Sequence, residues 1–364
     1  MRVVLSGYYG FHNVGDEAIL QAIIHALRAE KSDIKITVLS NDPDYTKKTY
    51  GVDAVNRWKL GEVFKAVRSA DGVISGGGSL LQDKTGMKSV PYYTGIMMMA
   101  HRILRKPFFV YAQGIGPLDQ SVSQKLVKYA LSKADFLSVR DQESFDLLRK
   151  IGLNGEIELV PDPVMGMEYK EGLNQAWLEK EGLTGKPFIT VAIRDWASLG
   201  FAEFKEKIVE VLDRCADEGG HRIVFLPMHG EHDDVFSREI MGAMKNPASI
   251  FPYDASIEEK VSLIGDSSLL IGMRLHALIF AAIAHTPMIG ISYDPKIDSF
   301  INQVDQPLIG HVDDDWSADE LYELIGKQMS QHSEEVEKLK AKAIPLQQKA
   351  NETAKKVIGL LNKQ

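Results

Sequence analysis

MRVVLSGYYGFHNVGDEAILQAIIHALRAEKSDIKITVLS, residues 1–40, carries the pattern that decides the fold. A short apolar run at 3–6 leads into a glycine-rich turn, and a second apolar run lies at 36–39. Between them, residues 17–30 place apolar side chains at three- and four-residue spacing, which is typical of an amphipathic helix. The order strand, helix, strand predicts a parallel sheet that is covered by helices on both faces.

The same alternation recurs along most of the chain and pauses only in a polar stretch that precedes Phe188. We therefore expect an α/β fold of two doubly wound, Rossmann-like domains, 1–170 and 171–305, which face a ligand cleft. Residues 306–364 have the pattern of charged helices, which either pack back on the first domain or stand exposed. Further strands are predicted at 72–75, 108–111, 136–139, 188–193, 222–226, 268–271 and 287–291.

The composition excludes several classes of protein. With 364 residues, 45% hydrophobic and 25% charged, the chain fits two soluble globular domains. A net charge of −8 argues against a nucleic-acid partner, and the single cysteine, Cys215, excludes a disulfide framework. Because the chain opens on a strand pattern and has no apolar run of about 20 residues, we expect a cytoplasmic protein whose membrane contact is at most peripheral.

Glycine-rich turns follow three predicted strands of the first half: GYYGFHNVGDEA at 7–18, SGGGSLLQD at 75–83 and AQGIGP at 112–117. Parallel strands end at one edge of a sheet, so we expect these turns to form one wall of a ligand site. The spacing is not G-x-G-x-x-G, which disfavours a dinucleotide site. The alternative is that the glycines only allow bends, with Asn13 or Asp16 capping a helix. The candidate ligand-binding residues are Gly10, Asn13, Asp16, Gly77, Gly78, Ser79, Gln82 and Gln113.

Cationic side chains follow one predicted strand of the first half and several predicted strands of the second half. Arg140 and Arg194 each come directly after a predicted strand. The segment GMRLHALIFAAIAHTPMIGISYDPK, residues 272–296, adds Arg274, His276 and Lys296 at two adjacent strand ends. This combination suits a small polyanion. A surface pair of Arg140 with its neighbouring aspartate is the alternative for that residue.

A possible metal motif lies near residue 229, where His229, His232, Asp233 and Asp234 form an H-x-x-H-D-D pattern. Imidazole and carboxylate ligands suit zinc or manganese. Ligands from one loop are weak support for such a site, and we predict none.

Three motifs in this order, GYYGFHNVGDEA, SGGGSLLQD and GMRLHA followed by SYDPK, resemble the polysaccharide pyruvyl transferase family. Within that family the sequence resembles the CsaB-type cell-wall enzymes of S-layer anchoring. The resemblance implies a GT-B-like fold and transfer of the pyruvyl group of phosphoenolpyruvate to a sugar, forming a cyclic ketal and releasing phosphate. The first domain would be the acceptor side and the second the donor side.

For the acceptor, the resemblance implies N-acetylmannosamine in a lipid-diphosphate-linked disaccharide, used in secondary cell-wall polysaccharide synthesis. The enzyme would meet this lipid at the inner face of the membrane. The reaction requires no redox cofactor and no metal, and phosphoenolpyruvate is a substrate.

The resemblance also suggests roles for the cationic residues. Arg140 and Lys296 would bind the carboxylate and phosphate of the donor, and Arg194 and Arg274 would neutralise the departing phosphate. His276 would be the general acid that protonates the methylene carbon.

Asp162 or Asp16 would accept the proton of the sugar hydroxyl.

The chief alternative function is a GT-B glycosyltransferase with a nucleotide-sugar donor. Such enzymes usually carry a glutamate on the helix after the late glycine strand, and residues 278–284 contain no acidic side chain. A glycan-binding module without catalysis is the third possibility.

Overall fold

The chain folds into two α/β units, each with its own parallel sheet, and the computed structural model describes residues 1–84, 88–196 and 201–363. The first unit comprises Met1–Met167 and Leu346–Gln364, and the second comprises Glu168–Pro345. Residues 306–345 thus lie in the second unit, whereas the sequence had grouped them with the C-terminal helices.

The sheet of the first unit has the strand order β3-β2-β1-β4-β6-β7-β8, with β5 paired to β6. The chain order reverses between β1 and β4, which is the switch point beside which doubly wound sheets bind ligands. Three short strands, β3, β5 and β8, escaped the sequence analysis because two to four residues show little periodicity. The strands are β1 Arg2–Tyr9, β2 Lys35–Ser40, β3 Asp53–Asn56, β4 Gly72–Gly76, β5 Ser79–Leu81, β6 Phe108–Ile115, β7 Phe136–Val139 and β8 Glu158–Leu159.

Helices cover both faces of this sheet and enclose apolar cores on it. The helix predicted at 17–30 begins earlier, at Val14, because Asn13 caps it: its side-chain oxygen accepts from the Gly15 N–H at 3.0 Å. The helices are α1 Val14–Glu30, α2 Pro43–Tyr50, α3 Leu60–Ser69, α4 Ser89–Met98, α5 Ser121–Leu131 and α6 Gln142–Lys150, with a π turn at Met99–Ile103 and a 3₁₀ turn at Pro163–Gly166.

The second sheet has the order β11-β10-β9-β12-β13-β14, so its switch point lies between β9 and β12. The first helix of this unit is α7 Gln175–Lys180, and Cys215 is buried in the unit's core. The strands are β9 Phe188–Ala192, β10 Arg222–Phe225, β11 Ala248–Ile250, β12 Leu269–Gly272, β13 Met288–Ser292 and β14 Leu308–His311. The remaining helices are α8 Phe201–Asp217, α9 Gly230–Ala243, α10 Ile257–Asp266, α11 Leu275–Ala284, α12 Pro295–Gln303, α13 Ala318–Ser330 and α14 His332–Leu361.

The end of α14 packs on the first unit. A Cβ atom at Gly72 would lie 2.8 Å from the Leu361 side chain, and the amide of Asn351 donates to the carbonyl of Gly166 at 3.4 Å. Within the described part of the chain, no helix combines the length and the apolar character that crossing a bilayer requires.

Candidate active site

The switch point of the second sheet brings two predicted arginines to neighbouring strand ends. Arg194 follows β9 and Arg274 follows β12, and these two strands are paired in parallel. Ligands of doubly wound sheets bind at this position because the two halves of the sheet diverge there and leave a crevice. The second unit therefore presents cationic side chains where its topology makes a binding site.

Arg274 is held by a buried carboxylate. Its guanidinium binds both oxygens of Asp233, through Nε at 2.9 Å and through Nη2. Asp233 is 1% exposed and also accepts from the N–H of Met228 at 3.1 Å. This bidentate pair ties the first turn of α9 to the end of β12 and fixes the plane of the guanidinium.

The H-x-x-H-D-D segment thus has a role other than metal binding. Asp233 orients Arg274, and Asp234 pairs with Arg238 one helical turn later, with 2.8 Å between Oδ2 and Nε. In the described residues, no group of three or more histidine, cysteine, aspartate or glutamate side chains could hold a metal ion. Sequence reasoning missed the role of Asp233 because its partner is far away in the chain.

A cavity of about 740 Å³ lies beside Asp233 and is lined by Arg194, Trp196, His229 and His232 among others. Burial holds the pKa of His229 below its usual range, and the positive charge of Arg274 lowers it further. The imidazole is therefore mainly neutral at neutral pH. The H-x-x-H-D-D pattern had suggested His229 only as a metal ligand.

Arg194 lies against two aromatic rings at this cavity. Its guanidinium carbon is 4.9 Å from the ring centroid of Tyr293 and 5.7 Å from that of Trp196. Its Nε donates to the carbonyl of Asp195 at 3.0 Å. Among the residues that the structure describes, none offers Arg194 a paired carboxylate, so its charge is available to an anion.

His276 and Lys296 lie in the first turns of α11 and α12, after β12 and β13. His276 is half-buried and stands two residues after Arg274. The Lys296 ammonium lies 3.0 Å from a carboxylate oxygen of Asp294, the residue that caps α12. Both predicted residues thus belong to the edge that carries the two arginines, although neither lines the cavity beside Asp233.

In the first unit, Arg140 follows β7 and is almost entirely buried, with 6% of its side chain exposed. It binds Asp162 at 2.7 Å and donates to the hydroxyl of Ser79 at 3.1 Å. Burial opposes its charge, but Asp162 and Asp141 outweigh this and raise the pKa of Arg140. An anion at Arg140 would meet these carboxylates, which makes Arg140 better suited to hold Asp162 than to bind phosphate alone.

The glycine run after β4 serves packing within the unit. Gly77 has φ +57°, and a Cβ atom there would overlap the side chain of Ile19 on α1. A Cβ atom at Gly78 would lie 2.9 Å from a carboxylate oxygen of Asp16. The close neighbour of Gly77 is thus the helix α1, whereas the sequence had predicted a ligand at this turn.

The glycine-rich turn around Gly10, which follows β1, is stabilised by hydrogen bonds from a buried side chain of the same unit. Glu17, which is 3% exposed, accepts from the N–H of Gly10 at 2.8 Å and from the hydroxyl of Tyr50 at 2.7 Å. Burial raises the pKa of Glu17. Asn13 serves as the helix cap, which was the alternative to ligand binding.

Two further predicted residues differ in their access to solvent. Gln113 is fully buried, so it cannot touch a ligand in this conformation, whereas Gln82 is half-buried after β5. Ser79 is exposed and binds Arg140.

Residues 13–295 match the family model described as polysaccharide pyruvyl transferase. The chain belongs to the polysaccharide pyruvyl transferase family. Membership identifies the protein as an enzyme, a transferase of polysaccharide biosynthesis with a sugar or polysaccharide acceptor.

This pyruvyl transferase is similar to other proteins at low sequence identity. The amylovoran biosynthesis protein AmsJ of Erwinia amylovora is 21% identical over an alignment that covers 84% of this chain and 87% of AmsJ. HepE of Anabaena, solved with UDP-glucose, superposes with a TM-score of 0.67 at 12% identity and full coverage of both chains. The ADP-heptose LPS heptosyltransferase II of E. coli has a TM-score of 0.56 at 15% identity, covering 92% of this chain and 100% of that one. These structures confirm the GT-B fold class.

Proposed function

We propose that this enzyme transfers the pyruvyl group of phosphoenolpyruvate to two hydroxyls of one sugar, which forms a cyclic ketal and releases phosphate. The observation that carries the proposal is the pair Arg194 and Arg274 at the switch point of the second sheet, with His276 in the helical turn that follows.

The donor is a small polyanion with a carboxylate and a phosphate. Arg194, which has no paired carboxylate among the described residues, and Arg274, whose plane Asp233 fixes, suit these two groups. Lys296 would add a third positive charge at the end of β13 once an anion competes with Asp294. Asp233 and Asp294 offset part of this positive charge, so the charge of Arg194 is the main support for binding of the donor by the second unit.

The chemistry begins when His276 protonates the methylene carbon of the donor, which makes the adjacent carbon electrophilic. One sugar hydroxyl attacks that carbon, the bond to the phosphate oxygen then breaks, and the second hydroxyl attacks the same carbon. The two hydroxyls release two protons: one restores His276, and the other leaves on hydrogen phosphate. No electron is gained or lost, so the reaction requires no redox cofactor, and none of these proton and group transfers demands a metal.

A base must first accept each hydroxyl proton before the proton passes to His276 or to the phosphate, and the first unit offers Asp162 and Asp16 for this relay. We favour Asp162 because Arg140 and the N–H of Val164, at 3.0 Å, hold its two oxygens in place. Arg140 would then act on the reaction through Asp162. Direct binding of the donor carboxylate by Arg140 is the other role that remains open to test.

The resemblance to CsaB-type enzymes supports a lipid-diphosphate-linked disaccharide with N-acetylmannosamine as the acceptor, within secondary cell-wall polysaccharide synthesis. The enzyme would then work in the cytoplasm and meet its acceptor at the inner face of the membrane, through peripheral contact.

The test is to incubate the protein with phosphoenolpyruvate and a lipid-linked acceptor that contains N-acetylmannosamine. We expect a product heavier by one ketal-linked pyruvyl group and release of one phosphate per ketal. The control omits the donor and supplies a UDP-sugar. Sugar transfer from that donor, without pyruvyl transfer, would replace this proposal with a glycosyltransferase.

A further inference from the structure

Large aromatic side chains lie exposed at the carboxyl ends of β1 and β3. Trp58 is 60% exposed and Tyr8 is 41% exposed, although neither takes part in the site described above. Phe11 and Tyr92 are half-buried beside them. We call these four residues, Tyr8, Phe11, Trp58 and Tyr92, the aromatic platform.

The rings of the aromatic platform are fixed in orientation. Tyr8 stacks on Phe11 with ring centroids 3.9 Å apart and planes inclined by 6°. The indole N–H of Trp58 donates to the side chain of Asn41 at 2.9 Å, and the backbone N–H of Trp58 donates to Asn56 at 2.9 Å. A freely rotating surface tryptophan would lack the indole bond to Asn41. Since fixing a large side chain costs conformational entropy, this exposed arrangement favours a binding role.

A buried arginine supports the platform from below. Arg57 is 3% exposed, and its guanidinium carbon lies 4.5 Å from the ring centroid of Tyr92, 5.1 Å from that of Trp58 and 5.3 Å from that of Phe11. It donates to the carbonyl of Gly7 at 2.8 Å, and its Nε has no hydrogen-bond partner among the residues that the structure describes. Arg57 therefore joins the end of β1 to the end of β3 and keeps the rings together.

Polar groups surround the rings. His12 and Asp42, which follow Phe11 and Asn41 in the chain, lie 3.6 Å apart and expose 59% and 44% of their side chains. The surface thus combines flat apolar faces with hydrogen-bonding groups at the rim. A pyranose ring has the matching character, since its C–H bonds form apolar faces and its hydroxyls point to the edge.

We propose that the aromatic platform is a saccharide-binding subsite, on which Trp58 and Tyr8 pack against a pyranose ring of the acceptor. The proposal deepens the proposed function and rests on its sugar acceptor. Exposed rings would then recognise the sugar. Two of the residues that the sequence had suggested for this role are inaccessible, because the Ile19 side chain packs against Gly77 and Gln113 is buried.

The platform would bind a sugar ring other than the one that receives the pyruvyl group. All strands of the sheet are parallel, so the platform and Arg140 lie at the same edge. In the order β1-β4-β6-β7, three strand spacings of about 4.8 Å, roughly 14 Å in total, separate the turn after β1 from that after β7. This span has room for more than one sugar ring.

The test measures binding without the donor. A soluble disaccharide that contains N-acetylmannosamine is titrated against the full-length protein by calorimetry, and then against Trp58→Ala. We expect Trp58→Ala to weaken binding about tenfold and to raise the KM of the acceptor by a similar factor, with the KM of phosphoenolpyruvate unchanged. The matched control is Leu60→Ala, because Leu60 is 64% exposed and close in sequence but has no ring. It should bind the disaccharide as the unaltered protein does.

Equal binding by Trp58→Ala and the unaltered protein, or no binding of the disaccharide at all, would overturn the saccharide subsite. A prenyl diphosphate without sugar is titrated in parallel. Tight binding of that lipid, weakened equally by Trp58→Ala and Leu60→Ala, would replace the sugar with a lipid chain. If the disaccharide binds through Trp58 but no ketal forms, the subsite stands and the pyruvyl transfer proposal fails. If the ketal forms and Trp58→Ala changes nothing, only the subsite fails.

Discussion

Asp233 and Arg274 form a bidentate pair that joins the first turn of α9 to the end of β12, and their positions differ by 41 in the chain. The carboxylate is buried and has no other cation to neutralise in the hydrogen bonds that the structure describes. Its function is therefore to orient Arg274 at the edge of the second sheet, where we propose that the donor binds.

We expect Asp233→Asn to raise the KM of phosphoenolpyruvate and to lower kcat, because Arg274 keeps its charge but loses its fixed plane. Loss of a buried charge partner should also lower the free energy of unfolding by about 2–3 kcal/mol. Steady-state kinetics and urea unfolding measure both effects. Asp234→Asn is the matched control, since in the described part of the chain Asp234 pairs only with Arg238 on the same helix, and it should change the kinetics little. Similar kinetics for both variants would remove Asp233 from donor binding.

His276→Ala should lower kcat at least about 100-fold, because a general acid contributes that much or more. The fold should persist, which circular dichroism checks. His285→Asn is the control on the same helix: His285 forms the C-cap of α11 with φ 59°, a conformation that asparagine tolerates. An active His276→Ala enzyme would exclude His276 as the acid.

Arg140→Lys distinguishes two roles of this residue. If Arg140 orients Asp162, the lysine variant should lose kcat with little change in the KM of the donor, because a point charge cannot replace the planar fork. Asp162→Asn should then cost as much, and the double variant should cost no more than either single one. A large rise in the KM of phosphoenolpyruvate, without loss of kcat, would instead favour direct binding of the donor. Arg149→Lys, which changes an arginine that binds the carbonyls of Leu153 and Gly155, is the control.

His229 should make stability depend on pH. Its folded pKa lies below the unfolded value of about 6.5, so its contribution is present above that pH and is lost as the pH falls through the folded pKa. We expect the free energy of unfolding to decrease on acidification below about 6.5, and His229→Gln to reduce the decrease. Urea unfolding over this range measures it. The dependence should not vanish in the variant, because burial also lowers the pKa of His221 and His285. A variant with the slope of the unaltered protein would contradict the assignment.

Much of the architecture could be predicted because its signals are local. The helix α1 shows apolar spacing that a helix imposes, and β9 and β13 are continuous apolar runs of the kind found in buried parallel strands. The position of Arg194 and Arg274 at strand ends followed from the same patterns. The short strands β3, β5, β8, β11 and β14 could not be predicted, because they form only when neighbouring strands supply their hydrogen bonds.

The sequence by itself determined the fold class, the family and the set of charged residues at the strand ends. Only the tertiary structure decided which of these charges are already neutralised: Arg140 by Asp162, and Arg274 by Asp233. It also decided that Arg57 gathers exposed rings around Trp58, since Arg57 binds the carbonyl of Gly7, 50 residues away. The physical reason is that the periodicity of a segment shows only which of its faces is buried. Pairing between distant side chains exists only after the strands have taken their order in the sheet.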